Sequence, residues 1–236
     1  NMTEYFTALC KKMNEEPSVK WMDVVNETIT REGNWFEEKP GMDEWENPWE
    51  QIGRDENGYP LYITKAFEIA NQYAPNLSLV FNQHGGMEPK MWRQVKKTIL
   101  YLRSKGLRVN GLGWQAHLRS NQPLANDSSQ LKFLGELIDW AHENDLDFHV
   151  TEIDFRIEDK NNSNEALEKQ AQAYSNILAV LLSKKDQGVV TFNTWGMVDG
   201  KPGPHHNKHR FIFDAELKPK PAYYAIKKTI INQSLN

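Results

Sequence analysis

A single cysteine, Cys10, is all that the 236 residues contain. One thiol excludes an intrachain disulfide and any cysteine-built zinc site. No apolar run approaches the ~18 residues that a membrane span requires, and mean hydropathy is −0.71. Neither sign of charge dominates: 28 Lys and Arg stand against 32 Asp and Glu, for a net charge of −4. That balance argues against broad affinity for nucleic acid and leaves only local patches to consider. No charged start followed by an apolar stretch marks a signal peptide. No glycine fingerprint of a dinucleotide-binding fold is present, and neither sequence repeats nor low-complexity tracts are found. What the chain does have is aromatic. Eight Trp suggest stacking surfaces as well as core. The length suits one large domain or two, and 25% charged with 39% apolar residues is a globular composition.

Along the chain, Met2, Tyr5, Phe6, Leu9, Cys10 and Met13 recur at helical spacing, so residues 2–15 read as a helix ended by Pro17, with the thiol on its apolar face. Trp21–Asn26 reads as a strand. Residues 28–60, rich in Gly, Pro and acids, read as a long irregular loop carrying Trp35, Trp45 and Trp49. Helices and strands then alternate: helix 62–74, strand 77–81, helix 88–104, strand 109–114, helix 129–144, strand 148–153, helix 165–184, strand 189–194, helix 221–231. Alternation of this kind means βαβ units and a parallel sheet. Most strand starts lie about 30–40 residues apart, close to the ~31 per unit of a (β/α)8 barrel. The expected fold is therefore α/β with a parallel sheet of five strands, fewer than a barrel's eight; an open doubly wound sheet could be built from five, but its usual glycine fingerprint is absent.

Sites in parallel α/β proteins lie at the carboxyl ends of strands. Those ends carry Asn26 and Glu27; Asn82, Gln83 and His84; Gln115 and His117; Glu152 and Asp154; and Asn193, Thr194 and Trp195. Each alone suits a helix cap or a core hydrogen bond, but five polar or aromatic ends on one rim point to a site. Glu152 and Asp154 share strand parity and so point to one face. A charge entering a barrel interior is costly unless paired or used. Two carboxylates flanking a sugar bond, one protonated and one ionised, are what retaining glycoside hydrolysis requires. Trp195 offers a flat face on which a pyranose can stack.

Read together, Asp23-Val24-Val25-Asn26-Glu27, Gly111-Leu112-Gly113-Trp114-Gln115-Ala116-His117-Leu118, Thr151-Glu152-Ile153-Asp154, Thr194-Trp195-Gly196-Met197-Val198-Asp199, and the closing Phe213-Asp214 and Pro219-Lys220-Pro221-Ala222-Tyr223 resemble glycoside hydrolase family 10, the endo-β-1,4-xylanases. They resemble its strands 4, 6, 7 and 8 and its final segment, in order and through nearly the whole chain. The resemblance implies an endo-acting retaining enzyme on an α/β fold, a (β/α)8 TIM barrel of which about five units lie in this chain as one partial catalytic domain, 1–236, with the long loop at 28–60. Glu27 is then its acid/base and Glu152 its nucleophile. Asn26 bonds a sugar 2-hydroxyl, His117 and Asp154 hold Glu152 ionised and oriented, Gln115 lies beside them, and Trp195 is the sugar platform. Asn82 and His84 are expected on the substrate-binding rim. The resemblance implies neither metal nor organic cofactor. It implies xylan or xylo-oligosaccharide as partner, with no nucleic acid and no membrane span. It also implies an upstream segment of the same protein supplying strands 1 to 3.

Two departures stand beside the matches. The family's second Trp before the Phe-Asp pair is absent. In its place runs a short loop holding His205, His206 and His209, which read as polar residues facing substrate or solvent rather than as a metal site. Stacking at the −1 sugar is then weaker, or comes from Trp35, Trp45 or Trp49. Other β-glucans or decorated xylan, and a fragment that binds xylan without cleaving it, are the alternatives. A polymer the size of xylan places the expected action outside the cell or at its surface.

Overall fold

A computed structural model describes residues 1–37, 47–119, 128–157, 163–200 and 209–234. These divide into two compact units, Asn1–Gln83 with Glu88–Gly113, and His84–Met87 with Trp114–Asn236.

The first unit opens with α1 (Met2–Glu15), whose N-cap Asn1 accepts a hydrogen bond from Thr3 N at 3.0 Å. Cys10 is fully buried on its apolar face, and burial pushes the thiol pKa up to about 11. β1 (Trp21–Asn26) pairs in parallel with β2 (Ser78–Gln83). Between them lie a 3₁₀ turn, Pro48–Ile52, and α2 (Leu61–Tyr73). The described parts of the long loop carry short antiparallel bridges. Ile29 bridges Trp35 and Arg54 bridges Pro60, both antiparallel, on either side of the turn. Residues 38–46, with Trp45, lie outside the described residues. α3 (Pro89–Ser104) starts with Pro at its first position, where a missing N–H costs nothing. Its Met91, Trp92, Val95, Ile99 and Leu102 are fully buried at helical spacing. β3 (Gly111–Trp114) follows.

The second unit holds β4 (His117–Arg119), α4 (Ser128–Glu143), β5 (Asp147–Arg156), α5 (Asn164–Leu182), β6 (Val190–Thr194) and α6 (Pro221–Ser234). β5 pairs in parallel with β4 on one side and β6 on the other. α5 is capped by Ser163, packs against α6, and buries Tyr174, Ile177, Leu178 and Leu181.

Helices and strands thus alternate as the periodicity requires, and among the described residues they form five βα units with six strands rather than five. The third strand is broken at Ala116, which takes a left-handed φ of 60° and cannot continue a ladder. β5 is ten residues long, so Glu152 and Asp154 sit within the strand rather than at its end.

Candidate active site

Each unit carries part of the predicted set. In the first, β1 has an irregularity between Asp23 and Val25, where its register with β2 advances by one extra residue. The bulge explains why Val24 and Val25 are both buried in succession. Bulges cluster beside active sites because they re-aim the residues that follow. Asn26 is exposed immediately beyond it, and Asn82 Nδ2 donates to its Oδ1 at 3.1 Å. Asn82 is buried, and a Cβ on Gly113 would meet its Oδ1 at 2.5 Å. Glycine at that position of β3 therefore makes room for the amide. Glu27 is half-buried with a left-handed φ of 54°, its N–H donating to Asn82 O at 3.3 Å. A non-glycine residue held there costs about 1–3 kcal/mol and is found mostly where surrounding structure fixes it for a purpose. Gln83 Nε2 donates to Ile29 O at 2.6 Å and anchors the chain just past Glu27.

A cavity of about 290 Å³ in this unit is lined by Asn26, Val24, Val25, Tyr62 and Trp49 among others. Trp49 is about half exposed there, whereas Trp35 packs edge-on against Tyr59 at 5.9 Å. Of the described alternative platforms, Trp49 is the more exposed.

In the second unit β5 repeats the device. Its register with β6 slips between Val150 and Ile153, three residues on β5 against two on β6, just where Glu152 lies. Glu152 and Asp154 reach the same imidazole. His117 Nε2 lies 3.1 Å from Glu152 Oε2, and His117 Nδ1 lies 3.1 Å from Asp154 Oδ1. Burial pulls the imidazole pKa down, but hydrogen bonds and charge from Asp154 and Glu152 outweigh it and raise the value to about 9. At neutral pH the ring is therefore a cation, donating one N–H to each carboxylate. The second oxygen of Asp154 meets Arg210 Nη1 at 3.2 Å. The break at Ala116 turns the chain so that His117 begins β4 opposite Asp154.

Trp195 N donates to Ile153 O at 3.1 Å, which fixes the residue after β6 beside the carboxylates. Its ring meets His117 edge-on at 5.9 Å and remains 58% exposed, a free face of the kind sugars stack on. Gln115 is buried and His84 half-buried. Beside His84, Gly85 O accepts from Trp114 Nε1 at 2.9 Å. Asn193, another polar strand end, is structural: its Nδ2 donates to Val150 O and Thr191 Oγ1.

His205 and His206 lie outside the described residues. His209 faces Asp199, with Nδ1 at 3.6 Å from Oδ2. Among the described residues no group of three His, Cys, Asp or Glu side chains is arranged to hold a metal ion. Sequence reading missed Arg210, both bulges and the left-handed backbone at Glu27 and Ala116. Of these, only Arg210 left a trace, as a basic residue closing the run of histidines from 205 to 209.

Residues 1–229 match the family model described as glycosyl hydrolase family 10. Endo-1,4-beta-xylanase A of Thermoanaerobacterium saccharolyticum is 31% identical over 218 residues, covering 90% of this chain and 16% of that protein. The crystal structure of xylanase 10B from Thermotoga petrophila RKU-1, in complex with xylobiose, superposes with a TM-score of 0.78 at 23% identity, over 98% of this chain and 65% of that one. TsXylA, described as an intracellular xylanase of Thermoanaerobacterium saccharolyticum JW/SL-YS485, gives a TM-score of 0.73 at 26% identity, over 95% of this chain and 64% of that one. The chain thus spans less than two thirds of each of these relatives. Its fold is a partial (β/α)8 barrel.

Proposed function

This chain belongs to glycosyl hydrolase family 10, and from that premise we propose that the protein hydrolyses internal β-1,4-xylosidic bonds of xylan with retention of configuration. The observation that carries the reading is the pair of carboxylates on β5 that share one imidazole, Glu152 and Asp154 on either side of His117. A nucleophile has to be ionised and fixed in direction. A cationic His117, itself gripped by Asp154, supplies both conditions for Glu152.

In the first step a Glu152 oxygen bonds to the anomeric carbon while the glycosidic C–O bond breaks, and Glu27 gives its proton to the departing oxygen. In the second, Glu27, now a carboxylate, takes a proton from water as the water oxygen bonds to the same carbon. In the same displacement the bond from that carbon to the Glu152 oxygen breaks, its pair returning to the carboxylate, so the sugar is freed with Glu152 ionised and Glu27 protonated. Asn26, held by Asn82, donates to the 2-hydroxyl of the bound sugar, and the open face of Trp195 stacks on the ring. Carboxylates and water suffice for these steps. The xylobiose held by the Thermotoga petrophila enzyme supports a xylo-oligosaccharide as ligand. Xylan's size favours action outside the cell or at its surface, although one relative is described as intracellular. Fractionating the native host assigns the compartment: protein confined to the cytosol would overturn an external site.

The reaction is tested with the intact protein on soluble xylan and on a mixed-linkage glucan. The expected outcome is cleavage of xylan, with the β-anomer appearing first by NMR. Glu27→Ala should lose most activity on xylan yet spare far more of the first step on aryl xylobiosides whose leaving groups need no proton, seen as a burst of leaving group before slow turnover. Release of the α-anomer first, or cleavage of glucan alone, would contradict the proposal.

A further inference from the structure

Asp154 is almost completely buried, with its side chain 3% exposed. A carboxylate so placed needs a partner for each oxygen. His117 serves Oδ1, and Arg210 Nη1 serves Oδ2 at 3.2 Å. We propose that Arg210 is a positioning residue for the nucleophile, acting on Glu152 through Asp154 and His117. The inference rests on the reading of Glu152 as nucleophile given above, and it adds a residue to that machinery.

The segment that carries Arg210 is anchored on every side. Arg210 O accepts from Phe155 N at 3.3 Å, on β5, and from the Tyr174 hydroxyl at 3.1 Å, on α5. One residue earlier, His209 O accepts from Lys220 Nζ at 3.0 Å and Gln170 Nε2 at 2.6 Å. One residue later, Phe211 N donates to Asp199 Oδ1 at 2.8 Å, and the Phe211 ring lies where a Cβ on Gly196 would meet it at 2.7 Å. The guanidinium therefore extends from a rigid base, and the same base supports the residue next to Trp195.

Charge points the same way. The groups facing Asp154 are His117 from β4, Arg210 from this segment, Tyr174 from α5 and Glu152 on its own strand. With His117 protonated, two cations balance two carboxylates. Removing Arg210 leaves one Asp154 oxygen buried without its partner. The carboxylate then turns to find another, and His117 loses the acceptor that aims its other N–H at Glu152. The contact runs through one nitrogen, so a lysine ammonium can replace it with its charge, whereas an amide offers a donor without the charge.

The test compares wild type, Arg210→Gln and Arg210→Lys in the intact protein. One reagent is a 2-deoxy-2-fluoro-xylobioside bearing 2,4-dinitrophenolate: the Glu152 oxygen bonds to the anomeric carbon, and dinitrophenolate departs with the bonding pair. Arg210→Gln should lower the rate constant of labelling by roughly 10–100-fold, with Kd for the reagent and the final labelled fraction unchanged, and Arg210→Lys should restore most of it. A merely structural role would lower the labelled fraction instead. The second readout, independent of turnover, is the NMR exchange rate of the two His117 ring N–H protons, which should rise in Arg210→Gln and not in Arg210→Lys. Unchanged His117 exchange, or faster exchange with an unchanged labelling rate, overturns the inference. Wild type that hydrolyses xylan but takes no label on Glu152 overturns the assignment of the nucleophile, and the His117 readout then still decides whether Arg210 positions the imidazole.

Discussion

At the scale of single residues, His117 concentrates the electrostatics of the site. Its folded-state pKa of about 9 lies above the ~6.5 of an unperturbed imidazole. The folded protein holds the proton more tightly, so this contribution to stability is complete below pH ~6.5 and is lost as pH rises through about 9. Thermal denaturation from pH 6 to 10 should show a falling Tm across that window, and His117→Gln should flatten the fall. Solvent reaches about a third of the side chain, so added salt should weaken the effect. Lys220 and Asp199 are a different case. Both are nearly fully buried, 2.8 Å apart, and burial draws the Lys220 pKa below the ordinary lysine range despite the acid beside it. Lys220→Met leaves Asp199 buried without its cation and should cost roughly 3–5 kcal/mol in urea unfolding, much of it recovered by Asp199→Leu in the same chain. The segment that presents Arg210 hangs on this pair, so the single substitution should also slow catalysis.

At the scale of elements, both proposed catalytic glutamates follow or sit within an irregular stretch of an otherwise regular strand. β1 gains a residue before Glu27 and β5 gains one around Glu152. The alternation of helices and strands was legible in the chain because amphipathic faces such as Trp92, Val95, Ile99 and Leu102 repeat at 3.6 residues. Glu152 and Asp154 were legible as acids on one face because their spacing of two fits a strand. The bulges were not, since one extra residue leaves no mark in composition. Nor was the break at Ala116, because alanine has no preference for positive φ. Arg210 escaped because its partner lies 56 residues away. Gly113 tests how tightly β3 supports the first unit's residues. Gly113→Ala drives a methyl group into the Asn82 amide, and should cost about 1–3 kcal/mol by denaturant unfolding. Displacing Asn82 from Asn26 should also raise KM for xylo-oligosaccharides.

At the scale of the whole molecule, the family match runs over residues 1–229 although identity to the relatives is only 23–31%. The motifs that carry the resemblance lie within strands or just after them, so the five βα units among the described residues still hold both glutamates that the family's chemistry would use. Loop residues were the least legible part, because their partners come from elsewhere in the fold rather than from a local period. The account stands or falls on Glu152 forming a covalent bond to sugar. The direct measurement treats the intact protein with the fluorinated dinitrophenyl xylobioside, digests it, and locates the adduct by mass spectrometry. One sugar per molecule on the peptide containing Glu152, absent in Glu152→Ala, is the predicted result. An adduct on another residue, or none from protein that still hydrolyses xylan, would contradict it.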